Sequence, residues 1–370
     1  MLLIDETQLV AMAIAVACAI PGVFLVLRRN SMMADSITHS VLLGIVVAFM
    51  ITHDLNSPAL LIGAALAGLV TVWLTELVIK SRLVSSDSGI GLVFPLMFSI
   101  GVILIVKCLG NAHLCSNHII EGELIFATGD PVTLFGYDLG TTALWTGIGI
   151  ATVNILVVGV FFKEFKVATF DPLLAASIGL SPVIMHYVLM SLVAFTAVGS
   201  FQYVGSILVI ALMIGPAVTA YLLTDSLGRM VLYSCLLAVF NSMVGYIIAY
   251  ELNFSVAGCI AVMTFVSFFL VYLFAPNRGF ISGVRRRRRN KLEFAKAMVL
   301  FHLYNHENTP EEEEEAGEAT IAKHLNWDSQ FTHRIIRLLK KEKKVVSPTI
   351  KLTDKGRAQR ITTRQNYFSS

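Results

Sequence analysis

Asp35 and His39 stand four residues apart at the start of an otherwise apolar stretch, Ser31-Met-Met-Ala-Asp35-Ser-Ile-Thr-His39-Ser-Val-Leu-Leu-Gly44. In a helix that spacing puts both side chains on one face. A carboxylate oxygen with an imidazole nitrogen is a borderline donor set. It suits Mn2+, Fe2+ or Zn2+ better than soft Cu+. Two donors are too few to hold an ion alone, and a two-fold partner bringing its own pair would supply four. Two plainer readings stand beside this one: an Asp–His pair that satisfies itself, and an Asp that caps the helix. The spacing leaves all three open.

The elements that must position the pair are written in the composition. Of 370 residues, 56% are hydrophobic and 14% charged, whereas an ordinary soluble domain is about a quarter charged. That argues against a two-domain cytosolic enzyme and against a disordered chain, which would be poor in apolar residues. Apolar runs recur at roughly 8–27, 33–51, 57–79, 89–107, 139–162, 182–199, 203–224, 229–250 and 254–275. About 20 apolar residues cross a bilayer as a helix. The runs predict about nine spans, between eight and ten, because 182–199 and 203–224 lie close together. An ionisable pair inside such a span is costly and faces a cavity or a partner. Asn154 and Asn241, also inside runs, are expected to hydrogen-bond between helices. Cys18, Cys235 and Cys259 read as small apolar side chains. Cys108 and Cys115 are candidates for a disulfide.

Charge is segregated. Residues 1–280 carry nine Lys and Arg against fourteen Asp and Glu; residues 281–370 carry nineteen against eleven. With the N-terminus outside, Arg28, Arg29, Lys80, Arg82, Lys163, Lys166, Arg229 and Arg278 all fall on the cytoplasmic side, and only Lys107 falls outside. That is a strong positive-inside signal. Arg285–Arg289 then lie beside anionic lipid headgroups. The first run lacks a small-residue cleavage site and leads straight into a second, so it reads as a helix and not a cleaved leader. The expected location is the cytoplasmic (inner) membrane, with the C-terminal part in the cytoplasm.

Three segments resemble the manganese/zinc/iron permeases of ABC transporters. Leu25-Val-Leu-Arg-Arg-Asn-Ser-Met-Met-Ala-Asp35-Ser-Ile-Thr-His39-Ser-Val-Leu-Leu-Gly44 is similar to the family's LVLRR…GDxxSHxxLPG signature, with Ala34 and Leu43 in place of its Gly and Pro. Gln202-Tyr-Val-Gly-Ser-Ile-Leu-Val-Ile-Ala-Leu-Met-Ile-Gly-Pro216-Ala-Val-Thr-Ala resembles a second family run. Phe170-Asp171-Pro172-Leu-Leu-Ala-Ala-Ser-Ile-Gly179-Leu looks like the loop that docks on the ATPase. The resemblance spans about residues 8–275. It implies that Asp35 and His39 coordinate the transported metal, and that Asp171, Pro172, Ala175 and Gly179 couple to an ATP-binding subunit. It also implies a second permease chain, identical or paralogous, and an external metal-binding protein. No permanently bound cofactor is expected; Mn2+, Zn2+ or Fe2+ is cargo.

The residues of that loop carry their own argument. Asp171-Pro172 suits a helix start, with Asp at the N-cap and Pro at the first position. Gly179, followed by Pro182, suits the stop. A short capped helix of this kind can fit a groove on a soluble partner. No GxxxxGK[ST] phosphate loop occurs in the chain, so the chain is not expected to be an enzyme. Glu76, four before Lys80, reads as a helix-end ion pair, and His186 as a polar residue near the start of a span. His113, Cys115, His118, Glu121 and Glu123 form an outer segment whose spacing matches no tight metal motif.

The tail alternates differently. Leu292, Ala295, Val299 and Leu303 share a helical face. Ala319–Leu325 and Phe331–Lys344 read as helices, the second with Phe331, Ile335, Leu338 and Leu339 inward. Val345–Ile350 and Lys351–Arg357 read as a hairpin and turn. The order resembles a winged helix-turn-helix, and the closing Ile350-Lys-Leu-Thr-Asp-Lys-Gly-Arg357 resembles the wing end of bacterial regulators, including DtxR-like metal-responsive ones. If such a tail binds DNA, Thr332, His333, Arg334 and Arg337 face the major groove, with Lys340, Lys341, Lys343 and Lys344 on phosphates. The other reading is a protein-interaction or gating module. It lacks the second domain in which such regulators hold a sensing metal.

The expected fold is thus an all-α polytopic membrane domain at 1–280, a basic juxtamembrane linker at 281–291 and a small α+β winged-helix domain at 292–370. The expected function is the permease subunit of an ABC importer of divalent transition metals. The alternatives are a membrane-tethered transcriptional regulator and a proton-driven metal transporter.

Overall fold

The computed structural model describes residues 5–54, 57, 59–108, 131–134, 137–276, 278–310, 312–346 and 350–357. The chain divides into two compact units, Met1–Gly279 and Phe280–Ser370.

The first unit is built of apolar helices: α1 (Glu6–Leu27), α2 (Ser31–Thr52), α3 (Ala59–Lys80), α4 (Ser86–Cys108), α5 (Thr142–Val160), α6 (Phe162–Phe170), α7 (Pro172–Ser177), α8 (Pro182–Leu223), α9 (Leu227–Leu252) and α10 (Val256–Phe274). Among the described residues, eight are long and apolar enough to cross a membrane. They are apolar all round. One side packs inward while Leu66, Leu92, Leu156 and Phe265 stay exposed, as a surface turned to lipid does. A two-stranded antiparallel ladder, β1 (Pro131–Leu134) and β2 (Tyr137–Thr141), leads into α5; the all-helical expectation missed it.

Eight helices against nine apolar runs is explained by α8. It contains 42 residues, and as a straight helix it would be about 63 Å long, twice the hydrocarbon core. It is not straight. Gly205 has φ 75 and ψ 164, a conformation that in practice only glycine adopts. Leu189 and Ala217 belong to one core cluster with Phe24 and Leu227, although 28 residues of straight helix would part them by about 42 Å. The chain therefore folds back at Gly205 into two legs, 182–204 and 206–223. The first leg runs antiparallel to α5: Asn154 pairs with Thr196 at 2.8 Å and Thr146 with Tyr203 at 3.4 Å. The two legs are the two closely spaced runs, joined by one residue.

Lipid offers no hydrophobic drive between helices, so contact rests on close backbone approach and on buried polar links. α2 and α3 cross glycine to glycine. A Cβ on Gly44 would lie 2.2 Å from the Gly63 carbonyl oxygen, and one on Gly63 would lie 2.7 Å from that of Gly44. Asn154 Nδ2 donates to the Ala17 carbonyl and to Thr196 Oγ1, both at 2.8 Å, and so ties α5 to α1 and α8. Asn241 does not do the same: its side-chain amide is buried with no hydrogen bond to any described residue. Cys18, Cys235 and Cys259 are free thiols.

The second unit has its own core, with Val299, Leu300, Ile321, Ile335, Ile336 and Leu339 at its centre. Its elements are α11 (Phe280–Asn305), α12 (Glu312–Glu315), α13 (Glu318–His324), α14 (Ser329–Lys341), β3 (Val345–Val346) and β4 (Lys351–Leu352). Residues 281–291 are helical, continuous with α11. The helices of the tail fall where the apolar spacing put them. The winged-helix expectation is not supported: the only described strands here are two residues each, too short to establish a wing.

Candidate functional site

α1 and α2 are joined by a tight reverse turn. Arg29 takes the left-handed conformation at φ 58, and the Asn30 amide donates to the Leu25 carbonyl at 2.9 Å. This fixes where α2 begins. Ser31 is its first residue and Asn30 its N-cap, so Asp35 lies a full turn inside the helix. The capping reading of Asp35 is thereby corrected: the carboxylate is beyond the amides a cap would serve.

Asp35 Oδ1 and His39 Nε2 lie 3.3 Å apart, with side chains 33% and 38% exposed. On the same side of α2, Met32 is exposed as well. The imidazole is oriented by α4. Phe94 stacks on it at 5.7 Å between centroids, and Phe98 meets it edge-on at 6.0 Å. The opposite face of α2, with Met33, Ile37 and Val41, is buried. The pair is thus held on a helix fixed by its Gly44–Gly63 crossing, with one donor face open. Ala34 is buried, and α2 passes through Leu43 without a break.

A second polar group was only partly legible. Glu76 on α3 meets Lys80 at 3.6 Å as expected, but its closer partners come from the first leg of α8. His186 Nε2 lies 2.9 Å from Glu76 Oε1, and the Tyr187 hydroxyl donates to Oε2 at 2.6 Å. Glu76 is therefore a link between α3 and α8 more than a helix-end pair. The only signal in the sequence was the polar His186-Tyr187 step opening an apolar run.

The segment from 162 to 181 forms as its residues dictate. The Leu174 amide donates to Asp171 Oδ1 at 2.9 Å, and Pro172 occupies the first position of α7. The helix ends with Gly179 at φ 86, the Leu180 amide on the Ala175 carbonyl at 3.0 Å and the Gly179 amide on that of Ala176 at 3.2 Å. That is a Schellman stop. Ala175 is fully buried, whereas Leu173 is 84% exposed and Leu174 and Ile178 are exposed beside it. The helix thus presents three bare apolar side chains within one and a half turns. The preceding helix α6 is tied to the turn between α1 and α2 by Arg28, whose Nε donates to Thr169 Oγ1 at 3.1 Å.

Of the residues suggested for nucleic-acid contact, Thr332 cannot serve. It is fully buried and its hydroxyl donates to the Asp328 carbonyl at 3.1 Å. His333 is engaged with Glu318 and Arg337, at 3.0 and 3.2 Å. Arg334 is exposed and Lys340 partly so, but Lys344 is bonded to Glu342. The outer-segment residues His113, Cys115, His118, Glu121 and Glu123, and any disulfide between Cys108 and Cys115, lie outside the described residues.

The chain is similar to known proteins. The model of the ABC 3 transport family matches residues 2–275. The zinc transport system membrane protein TroD of Treponema pallidum (strain Nichols) is 41% identical over 332 residues, covering 90% of this chain and 90% of TroD; the similarity thus extends into the second unit. The manganese transport system membrane protein MntD of Bacillus subtilis (strain 168) is 42% identical over 269 residues, 73% of this chain and 91% of MntD. Among solved structures, PsaBC from Streptococcus pneumoniae in complex with Fab is similar with a TM-score of 0.62 and 27% identity, covering 74% of this chain and 92% of that one.

Proposed function

The chain belongs to the ABC 3 transport family, and from that premise we propose that it is the membrane-spanning permease subunit of an importer of divalent transition-metal ions. Mn2+, Zn2+ and Fe2+ are the cargoes that its donor set admits. ATP is hydrolysed by a separate subunit. A second permease chain faces this one, and an external binding protein delivers the ion. The relatives named as zinc and manganese transport proteins support the cargo class. The regulator and proton-driven alternatives are not favoured.

The observation that carries the reading is the Asp35–His39 pair, two donors 3.3 Å apart on a half-open face of an apolar helix. In this proposal the partner chain supplies matching donors, and the ion is held by both. The hold must be brief, because a site that binds too tightly does not release. The end of the bundle bearing Arg28, Lys80, Arg82, Lys163, Lys166, Arg229 and Arg278 faces the cytoplasm, following the positive-inside rule. The Asp5 end of α1 then faces outward, and the second unit is cytoplasmic. Leu173, Leu174 and Ile178 insert into the ATP-binding subunit, with Asp171, Pro172, Ala175 and Gly179 giving α7 its shape. Closure of that subunit is passed through α6 and Arg28 to the start of α2, and so alternates access to the pair.

The test is uptake of radiolabelled Mn2+ and Zn2+, with mutual competition, by cells making the whole transporter. Wild type is compared with Asp35→Ala and His39→Ala at matched surface expression. Both variants are expected to lose uptake, and the preferred isotope identifies the cargo. Normal uptake by both would mean that the ion is held elsewhere.

A further inference from the structure

Three elements of the second unit bring metal-binding side chains to one point. His302 is on the last turn of α11, Glu315 ends α12 and His324 ends α13. His302 Nε2 lies 3.4 Å and His324 Nδ1 2.9 Å from the same oxygen, Glu315 Oε2. The three donor atoms all lie within 4.8 Å of one another.

This is not a solvated charge pair on a surface. The side chains of His302 and Glu315 are 9% and 14% exposed, while His324, at 45%, leaves one way in. Glu315 Oε2 is buried and makes no hydrogen bond to a described residue, although both imidazoles approach it. Both imidazoles thus approach this oxygen without forming a hydrogen bond to it. The rings are also packed: His302 lies 4.9 Å from the His306 ring and 5.5 Å from that of His324. Two imidazole nitrogens and one carboxylate oxygen, with a position left for water, are a donor set for Zn2+, Mn2+ or Fe2+.

We propose that His302, Glu315 and His324 form a binding site for a divalent transition-metal ion in the second unit, separate from Asp35 and His39. His302 Nε2 also lies 3.1 Å from the Glu315 carbonyl oxygen, to which its proton is donated. Binding requires the other tautomer, with the proton on Nδ1 and the Nε2 lone pair on the ion. The ion then clips α11, α12 and α13 together, and it stabilises the unit in proportion to the free-metal concentration. A permease carrying such a clip has a component that responds to the metal on its own side of the membrane. That consequence rests on the import reading above; the site itself does not.

The test uses the full chain in detergent carrying Asp35→Ala and His39→Ala, so that any binding at α2 is removed. ZnCl2 and MnCl2 are titrated by calorimetry, and hydrogen exchange is followed over 296–305 and 318–327. One equivalent of Zn2+ is expected to bind and to slow exchange in both segments. Adding His324→Gln should weaken binding by about tenfold or more and abolish the protection. This ring is half-exposed, so its loss leaves the core of the unit intact. His302→Asn is the second variant, and its folding is checked by exchange in α14. Absence of Zn2+ binding in the Asp35→Ala/His39→Ala chain would overturn the proposal. So would binding that both histidine variants leave unchanged. The uptake assay scores the α2 pair independently, so either reading can fail alone.

Discussion

Replacing Gly205 by Ala tests the fold-back of α8 directly. At φ 75 and ψ 164 a side chain meets the backbone whatever the space around it, and a residue forced into such a region costs about 3 kcal/mol. Ala also restricts the unfolded chain, which returns up to about 1 kcal/mol. The net loss is about 2 kcal/mol, or about thirtyfold in the ratio of folded to unfolded chain. Gly149→Ala is the matched control. It lies within α5 and a Cβ there meets nothing within 4 Å, so the better helix former should stabilise by about 0.5–1 kcal/mol. Unfolding of the purified chain in detergent, read by circular dichroism against temperature, should move in opposite directions for the two variants. Topology supplies an independent reading. With the fold-back, Lys163→Cys and Arg229→Cys label from the same side of the membrane; with a straight α8 they label from opposite sides. A Gly205→Ala chain as stable as Gly149→Ala, or opposite-side labelling, would refute the reversal.

Two further outcomes follow from the same geometry. Gly44→Val places branched carbon against the Gly63 carbonyl, where even a Cβ would come to 2.2 Å; α2 and α3 must part, and overpacking of about 1–3 kcal/mol is expected, seen as a lower melting temperature together with lost uptake. Leu173→Asp changes a side chain that is 84% exposed, so stability should stay within about 0.5 kcal/mol, while co-purification of the ATP-binding subunit and metal-stimulated ATP hydrolysis are lost; a variant that keeps both would show that α7 does not dock.

How much of this was readable beforehand depends on how local each signal is. The Asp35–His39 spacing and the caps of α7 are set by neighbours within four residues, and both formed as their residue types dictate. The reversal at 205 was visible only as two apolar runs lying too close. The missing fact was that one glycine suffices as the whole turn, which depends on a backbone conformation and not on polarity. Glu76 illustrates the opposite case: Lys80 is its sequence neighbour, but His186 and Tyr187 are brought to it by packing of α3 on α8. Thr332 could have been placed correctly. It stands three before Ile335 and four before Ile336, on the inward face of α14, and its hydroxyl is satisfied by the carbonyl of Asp328, the N-cap of that helix. His302, Glu315 and His324 belong to three different elements, and no spacing rule relates them.

The bond from Arg28 to Thr169 has a mechanical meaning. Arg28 is seven residues from Asp35, across a turn too tight to flex independently, and Thr169 is two residues from the cap of α7. In the proposed importer, whatever seizes α7 therefore pulls on the N-terminal end of a lever whose arm is α2. The fulcrum is the Gly44–Gly63 crossing, where the two backbones touch and cannot slide far. Displacement at α7 then tilts α2 about that crossing, and the donor pair, lying between the pulled end and the fulcrum, moves with it.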